Sequence, residues 1–344
     1  MAGPLLEDLD RVATESAFSG VVRIDRAGDV VLEQAYGYSD RSYEIPNRTD
    51  MRFAIASGAK TMTALTVVSL VEDGLLTVDT RARALLGEDL PLVADDVTVE
   101  HLLAHRSGIG DYLDEDEWGA ITDYVMPVPV HQLATTEDFL AVLDGHPTKF
   151  SSDGAFSYCN GGYVLLALLA ERASGVPYHD LVTQRVCEPA GMTSSAFLRS
   201  DELPGDAARG YLEAEGLRTN VLHLPLRGSG DGGMYTTVAD VCALWRALFD
   251  GRIVSTAWAT EMTRPRSEAD DGRRYGLGFW LGATDDTVML EGYDAGVSFR
   301  STHDRASDTT CTVVANWSDG AWPVVKHLGE RLFGSEPRGR TIVV

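Results

Sequence analysis

Residues 52–60 read Arg52-Phe-Ala-Ile-Ala-Ser57-Gly-Ala-Lys60, and the chain runs on as Thr61-Met-Thr-Ala-Leu-Thr-Val-Val-Ser-Leu-Val71. Apolar residues recur at Ala59, Met62, Leu65, Val68 and Val71, with a second stripe at Ala64, Val67 and Leu70, which is the repeat of an α-helix. A helix apolar on most of its faces belongs at the centre of a domain, and Gly74 is its expected stop. Ser57 and Lys60 fall in the first turn, on one face, ~5–6 Å apart at Cβ. A serine hydroxyl needs a base beside it to become a nucleophile near neutral pH. A lysine withdrawn from water holds its proton less tightly and can be that base. The helix start adds backbone donors where an oxyanion would form. Ser-x-x-Lys also arises by chance in chains of this length, so the reading turns on partners elsewhere.

At 344 residues, the chain forms one large domain or two lobes. Its 52 acidic and 29 basic residues give a net charge of −23, spread along the chain. Such a surface repels nucleic acid and anionic membranes and favours solubility, so neither is expected as a partner. No stretch reaches the ~18 apolar residues of a membrane span. The N-terminal residues carry acids where a secretion signal carries bases. The four cysteines, Cys159, Cys187, Cys242 and Cys311, have no paired or metal-type spacing, which suits reduced thiols and a cytoplasmic location. His101 and His105 share a helical face, but no Glu follows His101 as a zinc-protease motif requires. The acidic loop Asp111–Trp118 lacks the glycine and the distal Glu of a calcium loop. It reads as a solvated loop near a pocket mouth, with Trp118 turned inwards. No metal and no organic cofactor is expected.

Along the chain, residues 4–16 read as an amphipathic helix, and Val21–Ile24 with Val30–Ala35 as a hairpin turning at 26–29. Thr98 caps a helix that ends near Arg106–Gly110. Residues 136–144 and 161–174 have helical patterns. Gly228–Gly233 is a glycine-rich turn without the Gly-Lys-Ser/Thr of a phosphate cradle. Thr237 and Asp240 have capping-box spacing for a helix to about Leu248. Strands are expected at 275–281, 287–290, 297–302 and 310–317, and a helix near 323–332. Strands at both ends with helices between them predict an α+β fold: an antiparallel sheet built from both chain termini and flanked by helices, with a mostly helical second lobe. The expected organisation is a single catalytic domain, residues 1–344, with an α/β lobe at about 1–65 and 225–344 and a helical lobe at about 66–224.

Partners for the serine lie in Phe156-Ser-Tyr158-Cys-Asn160-Gly-Gly-Tyr163. Tyr158 and Asn160, two apart in an extended or turn segment, can project to one side. Beside an ammonium group a phenolate is favoured and could take up a proton. Asn160 both donates and accepts, which suits holding a lysine and a substrate carbonyl together.

Ser57-x-x-Lys60 after Phe53-x-Ile55, followed by Tyr158-x-Asn160, resembles the serine β-lactamase-like superfamily of the class C type. That group includes class C β-lactamases, DD-peptidases, D-aminopeptidases and esterases. Thr98–Gly108 is similar to the family's T-x-x-x-L-L-x-H-x-S-G stretch, and Phe156–Tyr163 to F-x-Y-S-N-x-G-Y with Cys159 in place of serine. Pro189–Met192 is similar to P-L-G-M, and Gly232–Thr237 with Asp240 to G-G-x-x-S-T-x-x-D. The likeness covers roughly residues 18–330 and implies a β-lactamase/transpeptidase-like fold.

The third family motif, Lys-Thr-Gly or His-x-Gly, is where the chain departs. By position its equivalent is Tyr293-Asp294-Ala295-Gly296. In the relatives a cation at the first position helps bind a substrate carboxylate. Tyr293 cannot supply that charge and Asp294 would repel the carboxylate. The small Ala295 leaves room for close approach of substrate. The N–H groups of Ser57 and Gly296 are the expected oxyanion hole.

The resemblance therefore implies a serine hydrolase working through an acyl-serine. Ser57 attacks an ester or amide carbonyl, and Lys60 and Tyr158 share the proton. Tyr158 then protonates the leaving group and later activates water, or a second acceptor, to release the acyl group, and Asn160 orients Lys60 and the substrate. The Ser-Asp-Asn second motif of class A enzymes is absent. A small ester or amide is the expected substrate, ahead of acyl transfer or D-amino-acid amidase and peptidase chemistry. From another class, a non-catalytic ligand-binding or scaffold relative stands as the alternative.

Overall fold

The computed structural model describes residues 2–115, 119–269, 271–283 and 286–334; the expectation for Trp118 lies outside these. The amphipathic N-terminal segment is helix α1, Ala2–Glu15. It leads into strands β1, Gly20–Arg26, and β2, Asp29–Tyr36. The second half supplies β3, Ser267–Glu268, β4, Arg274–Tyr275, and β5, Trp280–Leu281. The long strands β6, Thr287–Asp294, β7, Val297–Asp304, and β8, Thr309–Ala315, follow. Together they form one antiparallel sheet in the order β2-β1-β8-β7-β6-β5-β4-β3.

Every residue of β8 is buried, as befits a central strand covered on both faces. On the outer face lie α1 and α6, Trp322–Phe333, where Leu9, Ala13, Val324 and Leu328 pack on Val22, Ile24 and Val313. The inner face meets α2, Lys60–Glu72, and α5, Val238–Phe249. In the large core there, Trp245, Leu65 and Val68 join Leu290, Phe299 and Val314. Residues Lys60–Leu70 of α2 are buried without a break, as its all-round apolar pattern dictates. A short helix α3, Val99–Leu103, and the long α4, Asn160–Ser174, pack on α2 from the helical side.

Local chemistry accounts for the differences from the sequence reading. The single strand expected over 275–281 is two short ones, because Gly276–Gly278 turns between them. Gly278 has φ +89° and lies so close to Ala64 that an added Cβ would come within 2.2 Å of it, so the turn exists to let α2 approach. Strand β6 runs on past Leu290 to Asp294. The helix expected at 136–144 is a 3₁₀ turn, Glu137–Phe139, followed by one α-turn, Leu140–Leu143. Thr98 caps α3 by accepting from His101 N–H at 3.3 Å, and His101 Nδ1 accepts the Thr98 N–H in return. Helix α3 ends at Leu103 and His105 turns to φ +55°, so His101 and His105 do not share a face. Thr237 caps α5, but Asp240 completes no box; its carboxylate accepts from Ser194 N–H and the Ser195 hydroxyl.

Candidate active site

Phe53–Ala54 pairs with Tyr235–Thr236, and the chain then tightens into a 3₁₀ turn, Ala56–Ala59, that feeds α2 directly. Ala56, just before Ser57, is left-handed at φ +44°, a conformation that costs a residue with a Cβ and that clusters at functional sites. Two glycines allow the β6–β7 hairpin to close on this turn. A Cβ on Gly58 would sit 2.6 Å from the Phe299 ring, and one on Gly292 would sit 1.9 Å from the Ile55 carbonyl oxygen.

Lys60 is 2 % exposed, and its Nζ has three partners: Ser57 Oγ at 3.0 Å, Asn160 Oδ1 at 2.7 Å and the Asp231 carbonyl oxygen at 2.7 Å. Two of these can only accept. A neutral amine carries two N–H bonds and one lone pair, so donating to Asn160 and Asp231 leaves the lone pair for the Ser57 proton. Burial pushes the amine down to about 8, with Asp231, Asp111 and Asp294 pulling the other way. The amide of Asn160 is fixed in orientation because its Nδ2 donates to Leu113 O at 2.9 Å and to Glu115 Oε1 at 3.3 Å. Asn160 opens α4, and Asp111 receives the N–H groups of Asn160 at 2.6 Å and Gly161 at 2.8 Å. Burial lifts that carboxylate to about 6 against those bonds. Cys159 takes the capping position, its Sγ accepting from Gly162 N–H at 3.3 Å.

Tyr158 meets this group through its ring face, whose centroid lies 4.9 Å from Lys60 Nζ. Its phenol is held well above the ordinary tyrosine range, first by burial and then by Tyr275, while the hydrogen bond with Ser57 works the other way. The expectation that Lys60 would favour the phenolate is therefore corrected: burial works in the other direction and favours the neutral phenol. The ring is fixed between His105, at 4.4 Å between centroids, and Trp280, stacked at 5.9 Å and 14°. Trp280 is backed by the Arg273 guanidinium at 3.9 Å, itself bonded to Glu291.

The third motif is arranged differently from expectation. The Gly296 N–H donates to Ser318 Oγ at 2.9 Å in a buried bond, so it is turned away from Ser57. Ala295 is 1 % exposed, and its carbonyl accepts from Asn220 Nδ2; it does not line the cavity beside Ser57. The reason is register. Asp294 faces Val297 across a two-residue turn with no bulge in the ladder. Thr287 O accepts from Gly282 N–H on the β5 side, so by strand alternation the Tyr293 peptide group also points to that edge. Tyr293, not Gly296, thus presents its N–H on the side of the cavity. Its ring leans toward Trp322, while Asp294 takes the position expected of a substrate-contacting group.

Ser57, Asn160, Tyr293 and Asp294 line one cleft, open to solvent. Residues that pattern alone did not single out complete it. Asp231, from the glycine-rich turn, bonds the Tyr112 hydroxyl through its carboxylate at 2.5 Å and Lys60 through its carbonyl. Glu115, Ser229, Ser200 and His223 also line the wall. The clue available was that Asp231 stands alone among the glycines of 228–233. Among the described residues no group of three or more His, Cys, Asp or Glu side chains is arranged to hold a metal ion.

The Beta-lactamase family model matches residues 9–333. The chain belongs to this family. It superposes on a penicillin-binding protein from Bacillus halodurans with a TM-score of 0.88 and 33 % identity, over 94 % of this chain and 100 % of that one. It is 32 % identical over 202 residues to esterase EstB of Burkholderia gladioli, covering 56 % of this chain and 50 % of the esterase. It is 29 % identical over 241 residues to a D-aminopeptidase of Brucella anthropi, covering 67 % of this chain and 42 % of that protein. The chain spans 42–68 % of the length of the curated relatives named among its matches. No helix among the described residues is long and apolar enough to cross a membrane, and all four cysteines are buried and unpaired.

Proposed function

We propose that the protein is a serine hydrolase that cleaves a small ester, or a related amide, through an acyl-Ser57 intermediate. The observation that carries this is the three-way coordination of Lys60, which leaves only a lone pair for the Ser57 hydroxyl. In the proposed reaction the Ser57 proton moves to Lys60 Nζ as Oγ attacks the carbonyl carbon. The oxyanion is met by the Ser57 N–H and by the Tyr293 N–H on the facing strand. Tyr158, still protonated, gives its phenolic proton to the leaving oxygen and regains one from the Lys60 ammonium, a downhill transfer given the two affinities. Water then attacks the acyl carbon as Lys60 takes its proton; the acyl C–Oγ bond breaks, the proton passes from Lys60 to Ser57 Oγ, and the free acid leaves with Ser57 and the neutral amine restored. Family membership and the esterase and D-aminopeptidase relatives support this class of chemistry.

A fluorophosphonate probe tests it. Peptide mapping is expected to place the label on Ser57, with Lys60→Ala slowing labelling by ~10³-fold or more, as loss of a base does for an unactivated hydroxyl. Absence of labelling at Ser57 between pH 6 and 10 would instead favour a ligand-binding or scaffold protein.

A further inference from the structure

The cavity carries a charge pattern that speaks to its ligand. Glu115, Asp231 and Asp294 line it, and among the described residues none that lines it is a lysine or arginine. Lys60 lies beneath Ser57 with its Nζ shared among three partners. Asp294 is flanked by Asp231, and its carboxyl is pushed up to about 7, first by burial and then by that neighbour's charge. Asp231 is displaced in the same direction by burial. Two carboxylates that crowd each other in a cleft are stabilised by a cation placed between them. Lys60 offsets part of that charge, but its Nζ bonds to Ser57, Asn160 and the Asp231 carbonyl and not to either carboxylate.

An independent observation concerns the uncharged groups of the same cleft. Ser229 is 2 % exposed, lines the same cavity, and has a hydroxyl with no partner in the protein. The Ser200 hydroxyl and His223 Nδ1, also in the lining, are buried and unpartnered too. Buried polar atoms are seldom left unpaired, and here three belong to residues lining the cleft that holds the candidate nucleophile. Met126, Leu198, Leu224 and Val297 add apolar lining. The cleft thus combines carboxylates, orphaned hydrogen-bonding groups and apolar surface.

We infer that the substrate is an ester or amide bearing a protonated amine, held by Asp294 and Asp231, with its uncharged polar part against Ser229, Ser200 and His223. This rests on the hydrolase reading above and names its substrate class. It also states the consequence of the altered third motif: the chain replaces selection for a carboxylate by selection against one.

Two matched ester series test it, one for each side of the scissile bond. The first comprises the nitrophenyl esters of 6-aminohexanoate, hexanoate and adipate (monoester). The second comprises the acetates of 4-(aminomethyl)phenol, 4-methylphenol and 4-hydroxyphenylacetate. In at least one series kcat/KM is expected to fall from cation to neutral to anion, by ~10-fold or more at each step and chiefly through KM, as desolvated charge pairs discriminate. Asp294→Asn is expected to collapse the cation-to-neutral ratio toward one, and Asp231→Asn to reduce it. Turnover of the neutral esters with no preference for the cation in either series overturns the inference and leaves the hydrolase standing. No turnover of any ester, with Ser57 unlabelled by the phosphonate, overturns both.

Discussion

Two walls of the cleft are built on opposite principles. The Ser57–Lys60 wall is part of the main core: α2 is buried from Lys60 to Leu70, Gly58 is pressed against Phe299, and each partner of Lys60 is fixed by a further bond. The hairpin wall, Tyr293 to Gly296, is held by peripheral contacts: Asn220 on Ala295, Ser318 on Gly296, and Trp322 beside Tyr293. Chemistry common to a family sits where packing tolerates least change. The proposed selectivity falls to Asp294, at the end of β6 where the strand gives way to a turn. That difference explains how a chain can keep Ser57, Lys60, Tyr158 and Asn160 and yet invert the charge facing its substrate.

The comparison breaks first at Tyr158. If the core-side wall carries the proton transfers, Tyr158→Phe, which preserves the stacking with Trp280, should lower turnover by ~10²–10⁴-fold, the range for a general acid. A near-normal rate in a steady-state ester assay would remove the phenol from the reaction. A medium effect is expected from pH. Because the amine of Lys60 must be neutral to accept a proton, kcat/KM for a neutral ester should rise about tenfold per pH unit on the acid side and level off near pH 8. Asp294 helps hold the ammonium form, so Asp294→Asn should move that limb to lower pH. A limb that stays in place would mean the two walls are not electrostatically linked. The smallest effect belongs to Ser318→Ala. It orphans the Gly296 N–H and should cost ~1–3 kcal/mol in denaturant unfolding, the usual penalty for a buried unpaired group. With Gly296 outside the oxyanion hole, the rate should stay within about threefold, whereas removing an oxyanion donor costs ~10²–10³-fold.

The same division describes what could be read from the residues alone. The Ser57 helix, the terminal hairpin and the late strands are legible because period and burial agree: α2 is apolar all round and β8 is covered on both faces. Spacing pairs Ser57 with Lys60 and Tyr158 with Asn160, and the resemblance to the family's motifs is what brought the two pairs together. The hairpin was not legible in detail. Whether Tyr293 or Gly296 turns its N–H to the cleft depends on strand parity and on a one-residue difference in turn position, which composition does not encode. Tyr158's proton affinity was misjudged because burial, a property of the whole fold, works in the other direction. Asp231 and Ser229 belong to a glycine-rich turn with no periodicity, and only tertiary packing brings them to the site.

The sheet order also bears on how the molecule is made. Strand β1 finds one neighbour at once in β2, but its other neighbour, β8, lies about 300 residues downstream, with Gly20 set opposite Ala315. Pairings of such long separation are slow to form. On the ribosome the early hairpin must wait, unzipped along one edge, until residues 309–315 have emerged. Helices α2 and α4 come off the ribosome well before the strands that will cover them, so the nucleophile's pocket is completed last. A chaperone acting on this protein would meet an open strand edge and a bare apolar helix, and a nascent chain stalled before β8 would be devoid of activity.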